Sequence, residues 1–311
     1  MYTFHPYRLK LSTPLRLAGG GRLDERCGLL IYNCSTGGWG DAAPLTGFSR
    51  ESLKTLLDVC KIDPGALARF PSARFAYECA ARPVGLRVSG VRVNFLWFPD
   101  MEPLEGLLQR LGEAVSPCVK VKLGPEPDLT NVLELVRCVP TVRLRLDSNR
   151  RWDVDTVCNV YRALPKSCLE YVEEPFEDPA QYKVAWSRCP VPVALDESLL
   201  TGVPQDVAEH PGVKAFVLKP TLMGDTSDRE PWIKLARETG KSVVWSACFE
   251  SGVGLWHLAS LAEQAGDTAS GLDTGRVFLE DLVEPRPLPV NGVLGCEHWK
   301  VLDSVKKLYN A

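Results

Sequence analysis

The 311-residue chain is 45% hydrophobic and 24% charged with a net charge of −3, the balance of an ordinary globular protein large enough for a sizeable core. It has no long run of one charge sign, which argues against a nucleic-acid footprint or a membrane-surface patch. Met1–Tyr7 shows no basic-then-apolar leader, and no apolar run approaches the roughly 18 residues of a membrane span. The eleven cysteines include no C-x-x-C pair, so free thiols in a cytoplasmic protein are expected. His5, His210, His257 and His298 are scattered and form no zinc motif.

Residues 1–90 carry turn-rich strands, "RLKLSTPLRL" and "CGLLIYNC", followed by helical patterns at Leu53–Cys60 and Ala73–Ala81. They are expected to form a separate α+β cap. From Val91 onward, strand-like runs alternate with amphipathic helical stretches: Val91–Leu96, Val119–Leu123, Val142–Asp147, Cys168–Glu173, Val193–Asp196, Ala215–Lys219, Ser242–Ser246 and a weaker Ser270–Leu272. The stretch "DREPWIKLARETGK" marks both ends of one helix, with acids in its first turn and Gly240 beyond its last. Eight strands at one βα unit each imply parallel crossovers, and the count suggests a (β/α)8 barrel over residues 91–285. Pro287, Pro289 and the Asn291-Gly292 turn mark residues 286–311 as a tail returning over the cap. The expected class is α/β, a modified TIM barrel with an N-terminal α+β capping domain completed by the C-terminal tail.

Active sites of such barrels form at the C-terminal strand ends. The second strand threads Lys120 and Lys122 along one face while Val119, Val121 and Leu123 take the other, because strand side chains alternate. The third strand ends at Asp147 and Asn149, the fourth at Glu173-Glu174, the fifth at Asp196-Glu197 and the sixth at Lys219. Lys122, Asp147, Glu173, Asp196 and Lys219 fall 25, 26, 23 and 23 residues apart, one strand each.

Three carboxylates from adjacent strands suit a hard divalent cation, Mg2+ or Mn2+, with positions left for water and a small-molecule carboxylate substrate. A lysine on each side then serves proton removal alpha to that carboxylate, with the metal stabilising the charge that develops. The Lys120 ammonium beside Lys122 would lower the pKa of a lysine base. Arg145 shares the inward parity of Asp147 and is expected to hold the ligand carboxylates. Glu174 and Glu197 have the opposite parity and are expected to support the site from behind or to face solvent. Cys118, Cys168 and Cys248 read as small buried hydrophobes.

The ordered set K-x-K, D-x-N, E-E-P, D-E-S and K-P resembles the enolase superfamily in its muconate-lactonizing-enzyme subgroup, over nearly the whole chain. "GWGDAAPLTGFS" (Gly38–Ser49), "LRLDSNR", "SACFESGVGLWHLA" and "GLDT" are similar, within that subgroup, to segments of the o-succinylbenzoate synthase family. The resemblance implies Asp147, Glu173 and Asp196 as Mg2+ ligands and Lys122 as the base of a syn dehydration in menaquinone biosynthesis. It also implies Lys219 as the cation holding an enediolate, and Lys120 in an electrostatic role. Ser246 and Asn149 are candidate substrate contacts. The glycine-rich "LAGGGRLDERCG" (residues 17–28) reads as a lid, with Arg22 against a substrate carboxylate. Asp41 stands where that family has Glu, and Thr46 where it often has Pro.

Two other readings are carried alongside. One is racemisation or epimerisation of an N-acylamino acid or dipeptide, or a muconate-type cycloisomerisation, on the same scaffold. An epimerase should put a D-x-D on the eighth strand, where this chain offers Asp273 alone. The other is a barrel without chemistry, which predicts a gap in the lysine and carboxylate set.

Overall fold

The computed structural model describes residues 1–16, 21–83, 85, 87–115 and 117–307. Its N-terminal part is an antiparallel sheet in the order β1-β2-β3, formed by β1 (Tyr2–Arg16), β2 (Arg22–Asn33) and β3 (Gly38–Ala42). Two helices cover one face: α1 (Leu53–Ile62), whose first turn is capped by the Ser52 hydroxyl accepting from Thr55 N, and α2 (Pro71–Ala80). Gly40 explains how close α2 comes, because a Cβ there would lie 1.8 Å from the Ala76 carbonyl oxygen. The "GWG" of the sequence is therefore a packing requirement, with the helix backbone pressed directly on the strand.

The next strand run divides. β4 (Val88–Arg92) pairs antiparallel with a strand of the tail, and only β5 (Phe95–Trp97) joins the large sheet. The expected single strand Val91–Leu96 is thus two, and a boundary between residues 90 and 91 falls inside β4. Beyond β5 the chain alternates as anticipated. The helices are α3 (Leu104–Leu111), α4 (Thr130–Cys138), α5 (Val154–Ala163) and α6 (Ala180–Arg188), then the short α7 (Ser198–Thr201), α8 (Gln205–Ala208) and α9 (Pro220–Met223), then α10 (Thr226–Thr239) and α11 (Gly252–Glu263). The strands between them are β6 (Cys118–Lys122), β7 (Arg143–Asp147), β8 (Leu169–Glu173), β9 (Val193–Leu195), β10 (Val213–Leu218) and β11 (Ser242–Trp245). With β5 they form a curled seven-stranded parallel sheet in sequential order.

The eighth expected strand, Ser270–Leu272, is only a pair of isolated bridges. Ser270 bridges in parallel to Val93 and Gly271 to Ser246, with Ser270 N donating to Arg92 O (2.8 Å) and Gly271 N to Trp245 O (2.7 Å). A serine and a glycine have little side chain to pack on a pleated surface, which fits so short a contact. The tail contributes β12 (Val283–Glu284), β13 (Val293–Cys296), β14 (Lys300–Val301) and α12 (Asp303–Lys307). β13 lies on β4 and β14 on β12.

The sheet sorts its residues by face. Val119, Val121, Leu144, Leu146, Val172 and Val193 join the main core between strands and helices, each fully buried. The inner face holds a small cluster of Tyr171, Ala194, Ala215, Val217 and Val244, and above these the polar residues collect. Among the described residues no helix is long and apolar enough to cross a membrane.

Candidate active site

Strand register assembles the site. Lys122 pairs with Asp147 across β6 and β7, and Asp147 with Glu173 across β7 and β8, so three chemically loaded residues stand side by side. Asp196 and Lys219 follow directly after β9 and β10 on the same rim. Asp147, Glu173 and Asp196 are at most 2% exposed, and Lys120 and Lys219 at most 8%. Carboxylates buried this deeply need partners, and the lysines supply them.

Lys120 Nζ lies 2.5 Å from Glu173 Oε1 and 2.9 Å from Asp147 Oδ2. Lys122 Nζ lies 2.6 Å from Asp147 Oδ2 and 3.0 Å from Asn149 Oδ1, and Lys219 Nζ donates to Asp196 Oδ2. Three ammonium groups therefore meet three carboxylates. Burial favours neutral Lys120, but the charges of Asp147 and Glu173 outweigh it and hold that pKa above the ordinary lysine value. Burial likewise pushes the Asp147 carboxyl up, and Lys120 and Lys122 more than reverse this, holding it far below the usual carboxylate range. In the Lys219–Asp196 pair, burial and Glu197 push the Asp196 carboxyl up. Burial pulls Lys219 down, but Asp196 and Glu197 raise it well above the usual value, so we assign the shared proton to Lys219.

Among the described residues no three His, Cys, Asp or Glu side chains are gathered as a metal-binding group; the Lys120 ammonium sits between Asp147 and Glu173, and Lys219 is on Asp196. The donor set itself is three buried carboxylates on neighbouring strand ends, the oxygen chemistry a hard divalent cation takes.

Residues behind the rim hold it in shape. Asn149 adopts φ +48, a left-handed conformation asparagine tolerates. Its backbone N–H donates to Asp147 Oδ1 (2.9 Å) and its side-chain nitrogen to Glu197 Oε1 (3.2 Å), so it braces Lys122 against two carboxylates. Glu174 is buried and sits at φ +36. Its Oε2 accepts from Asp196 N (2.6 Å), Ser198 Oγ (2.9 Å) and Ser198 N (3.3 Å), fixing the turn that carries Asp196. Glu174 thus points away from Glu173, as alternation along the strand expects, and is bonded to the turn after β9.

Two expectations place differently. Arg145 does not reach the three carboxylates. Its Nε donates to Glu170 Oε2 (3.0 Å) and its Nη1 to Ala269 O (2.6 Å), because it leaves the strand two residues below Asp147 and finds Glu170 on the neighbouring strand first. Arg22 pairs instead with Asp24 (2.7 Å), both more than half exposed, and is absent from the cavity wall. Residues 17–20 of the expected lid lie outside the described residues.

The lysine–carboxylate rim opens into a cavity of about 610 Å3. Lys120, Lys122, Asn149, Lys219 and Ser246 line it, and so do cap residues that the strand-end reading did not single out: Thr13–Leu15, Leu45 and Phe48. Leu45 and Phe48 belong to "APLTGFS", so the signal for them was in the sequence. A more open cavity of about 770 Å3 lies between β1, α2 and the start of α10, lined by Tyr2, Phe4 and Tyr77. It contains none of the lysine–carboxylate rim, and we assign the chemistry to the smaller one. Asp41 lies outside both, accepting from Ser251 N (2.9 Å), Ser251 Oγ (2.7 Å) and the Tyr7 hydroxyl, as a joint between β3 and α11. Asp273 lines the active cavity but is already paired, with Arg110 Nη1 at 3.0 Å and Arg276 Nε at 2.7 Å.

Residues 105–296 match the family model described as Enolase C-terminal domain-like. An o-succinylbenzoate synthase of Pasteurella multocida is 31% identical over 294 residues, covering 85% of this chain and 86% of that protein. An o-succinylbenzoate synthase of Thermosynechococcus elongatus, solved with Mg in its active site, superposes with a TM-score of 0.70 at 22% identity, covering 99% of both chains. A dipeptide epimerase of Methylococcus capsulatus, complexed with Mg and a dipeptide, superposes at 0.72 with 19% identity over 96% of this chain and 97% of that one. With the family match, the relative and the shared fold together, the chain belongs to the enolase superfamily.

Proposed function

We propose that this protein is a Mg2+-dependent lyase that dehydrates 2-succinyl-6-hydroxy-2,4-cyclohexadiene-1-carboxylate to 2-succinylbenzoate, within a (β/α)8 barrel closed through residues 270–271. The observation that carries the reading is the seating of Lys122, whose ammonium lines the cavity between Asp147 Oδ2 and Asn149 Oδ1 while Lys219 faces the same space from a strand four positions along the sheet. The name carried by relatives about 31% identical over most of the chain supports it.

Asp147, Glu173 and Asp196 would hold the cation, and Mn2+ suits the same oxygens. When bound, the ion supplies positive charge against the substrate carboxylate as its alpha carbon loses a proton. Lys122, neutral at the moment of reaction, takes that proton. As its conjugate acid it then returns a proton to the hydroxyl leaving from the same face: one C–H and one C–O bond break, a ring C=C forms, and water departs. Lys219 stays charged and holds the enediolate. Lys120, pinned between Asp147 and Glu173, keeps both carboxylates in place before the ion arrives. Unpaired cysteines throughout suit a cytoplasmic setting.

The pairing of Asp273 with two arginines supports dehydration over epimerisation, since a substrate ammonium group would have to compete with Arg110 and Arg276 for that carboxylate. An ultraviolet assay with the diene, run with Mg2+ and with EDTA, tests the proposal. Metal-dependent formation of the aromatic product that Lys122→Ala abolishes is the expected result. A folded, Mg2+-supplied protein that leaves the diene untouched but exchanges the alpha hydrogen of N-acylamino acids for deuterium would overturn it.

A further inference from the structure

Arg26, in β2, is 3% exposed and touches no carboxylate among the described residues; every contact of its guanidinium is to a backbone carbonyl. Nε donates to Phe249 O (2.9 Å), Nη1 to Pro44 O (2.7 Å) and Cys27 O (3.2 Å), and Nη2 to Ala43 O and Cys248 O (3.4 Å). One planar fork thus joins the cap segment at 43–44 to the segment at 248–249 that follows β11. These two segments carry the side chains that close the cavity: Leu45 and Phe48 on one side, Cys248 and Phe249 on the other. Leu45, Cys248 and Leu222 form a common apolar cluster with Phe48 and Phe249 against it.

The wall is held under constraint. Phe249 has φ +59, a conformation a bulky side chain adopts only where its surroundings impose it, and its carbonyl is the one that meets Arg26 Nε. Glu250 Oε2 accepts from Cys248 N at 2.7 Å and Asp41 accepts from Ser251, so the same turn is held on both sides of Phe249. Burial raises the carboxyls of Asp41 and Glu250; hydrogen bonds from Ser251 and Thr221 respectively offset this first, and the charge of Arg26 adds a smaller share to each.

We propose that Arg26 is a positioning residue for substrate binding: it locks the cap loop at 43–48 to the loop at 246–249, and so fixes the apolar wall against which the carbon skeleton of the bound carboxylate packs. This rests on the reading of the 610 Å3 cavity as the active site. A lysine keeps the charge but cannot reach four carbonyls on two segments.

The test compares two buried arginines that both cross from cap to catalytic domain. Arg229 joins Glu78 of α2 to Gly224 O, away from the cavity. Arg26→Lys should raise the KM for the diene about tenfold or more with kcat within about threefold, the pattern of lost binding geometry. Amide exchange should quicken at Phe48, Ser49 and Cys248, whose N–H groups hydrogen-bond within the two loops. Arg229→Lys should lower Tm but leave KM and those amides unchanged. A folded Arg26→Lys with wild-type KM and exchange overturns the proposal, as does an equal KM rise in Arg229→Lys. If Arg26→Lys does not fold, Phe249→Gly, which relieves the positive φ, should quicken exchange at Phe48 and Ser49 across the junction; unchanged exchange there also overturns it. Exchange is read without substrate, so a wild type inactive toward the diene counts against the dehydratase reading and not against Arg26.

Discussion

Arg145 and Lys122 leave the inner faces of neighbouring strands within one row of each other, yet they hold their charges in different ways. Arg145 sits in a closed network: Glu170 takes Nε and Nη2, Ala269 O takes Nη1, and the Tyr171 ring lies under the guanidinium at 5.0 Å. Of its partners Asn94, 3.3 Å from Nη1, lines the cavity, while Arg145 and Glu170 do not, and the network forms a floor beneath it. Lys120, which pairs across the strands with Arg145, Lys122 one row above it, and Lys219 face the cavity and hold Asp147, Glu173 and Asp196, contacts that an entering cation or anionic substrate is expected to replace. Buried ion pairs are weak evidence of stability and better evidence of purpose, and the two layers divide along that line.

The contrast is sharpest if each layer is broken separately. Lys122→Ala should cost about 10^3-fold or more in kcat, the scale of a lost general acid–base group, with Tm little changed. Arg145→Met should do the opposite. Glu170 keeps Arg143 Nη2 at 2.6 Å, so losing Arg145 is expected to remove about 1–3 kcal/mol of stability in a denaturant titration, while KM and kcat of the remaining folded protein stay near wild type.

A third experiment reads the cap junction through pH. Burial holds His257 at a pKa of about 4, below the unfolded value of 6.5, with its Nε2–H donating to Trp39 O. The unfolded chain therefore binds the extra proton first. Stability should fall as pH drops from about 6.5 to about 4, by about 3 kcal/mol from this group. His257→Gln should flatten that part of the Tm-versus-pH curve, and an unchanged slope would show that other groups account for it. The smallest effect belongs to Glu174→Gln, which weakens the support under Asp196. About tenfold weaker Mg2+ binding by calorimetry is expected, with the fold intact.

The rim was legible because barrel strands are buried on both faces, so Lys120, Lys122, Asp147 and Glu173 stand out against valine and leucine. Glu174 could be separated from Glu173 by alternation alone. What stayed hidden depends on distant partners. Val91 and Val93 look alike in sequence, but Val91 packs on a tail strand and Val93 bridges to Ser270, so the break between β4 and β5 leaves no local mark. Arg145 has the right parity, and only the position of Glu170 shows that its charge is already taken. Arg26 could not be found by motif, because its partners are carbonyls and carbonyls have no letter in a sequence. Arg22 failed for the opposite reason: its acidic neighbour two residues along the strand satisfies it locally.

The pairing of β4 with β13 also sets an order of events on the ribosome. β4 emerges early, but the strand that covers its edge is about two hundred residues further along, roughly 10–40 s of synthesis at typical elongation rates. Through that interval Val88 and Val91 have no tail strand beside them, and the exposed edge is a template for pairing with other nascent chains. A chain stopped before residue 293 would keep every lysine and carboxylate of the rim and still carry an open, sticky edge.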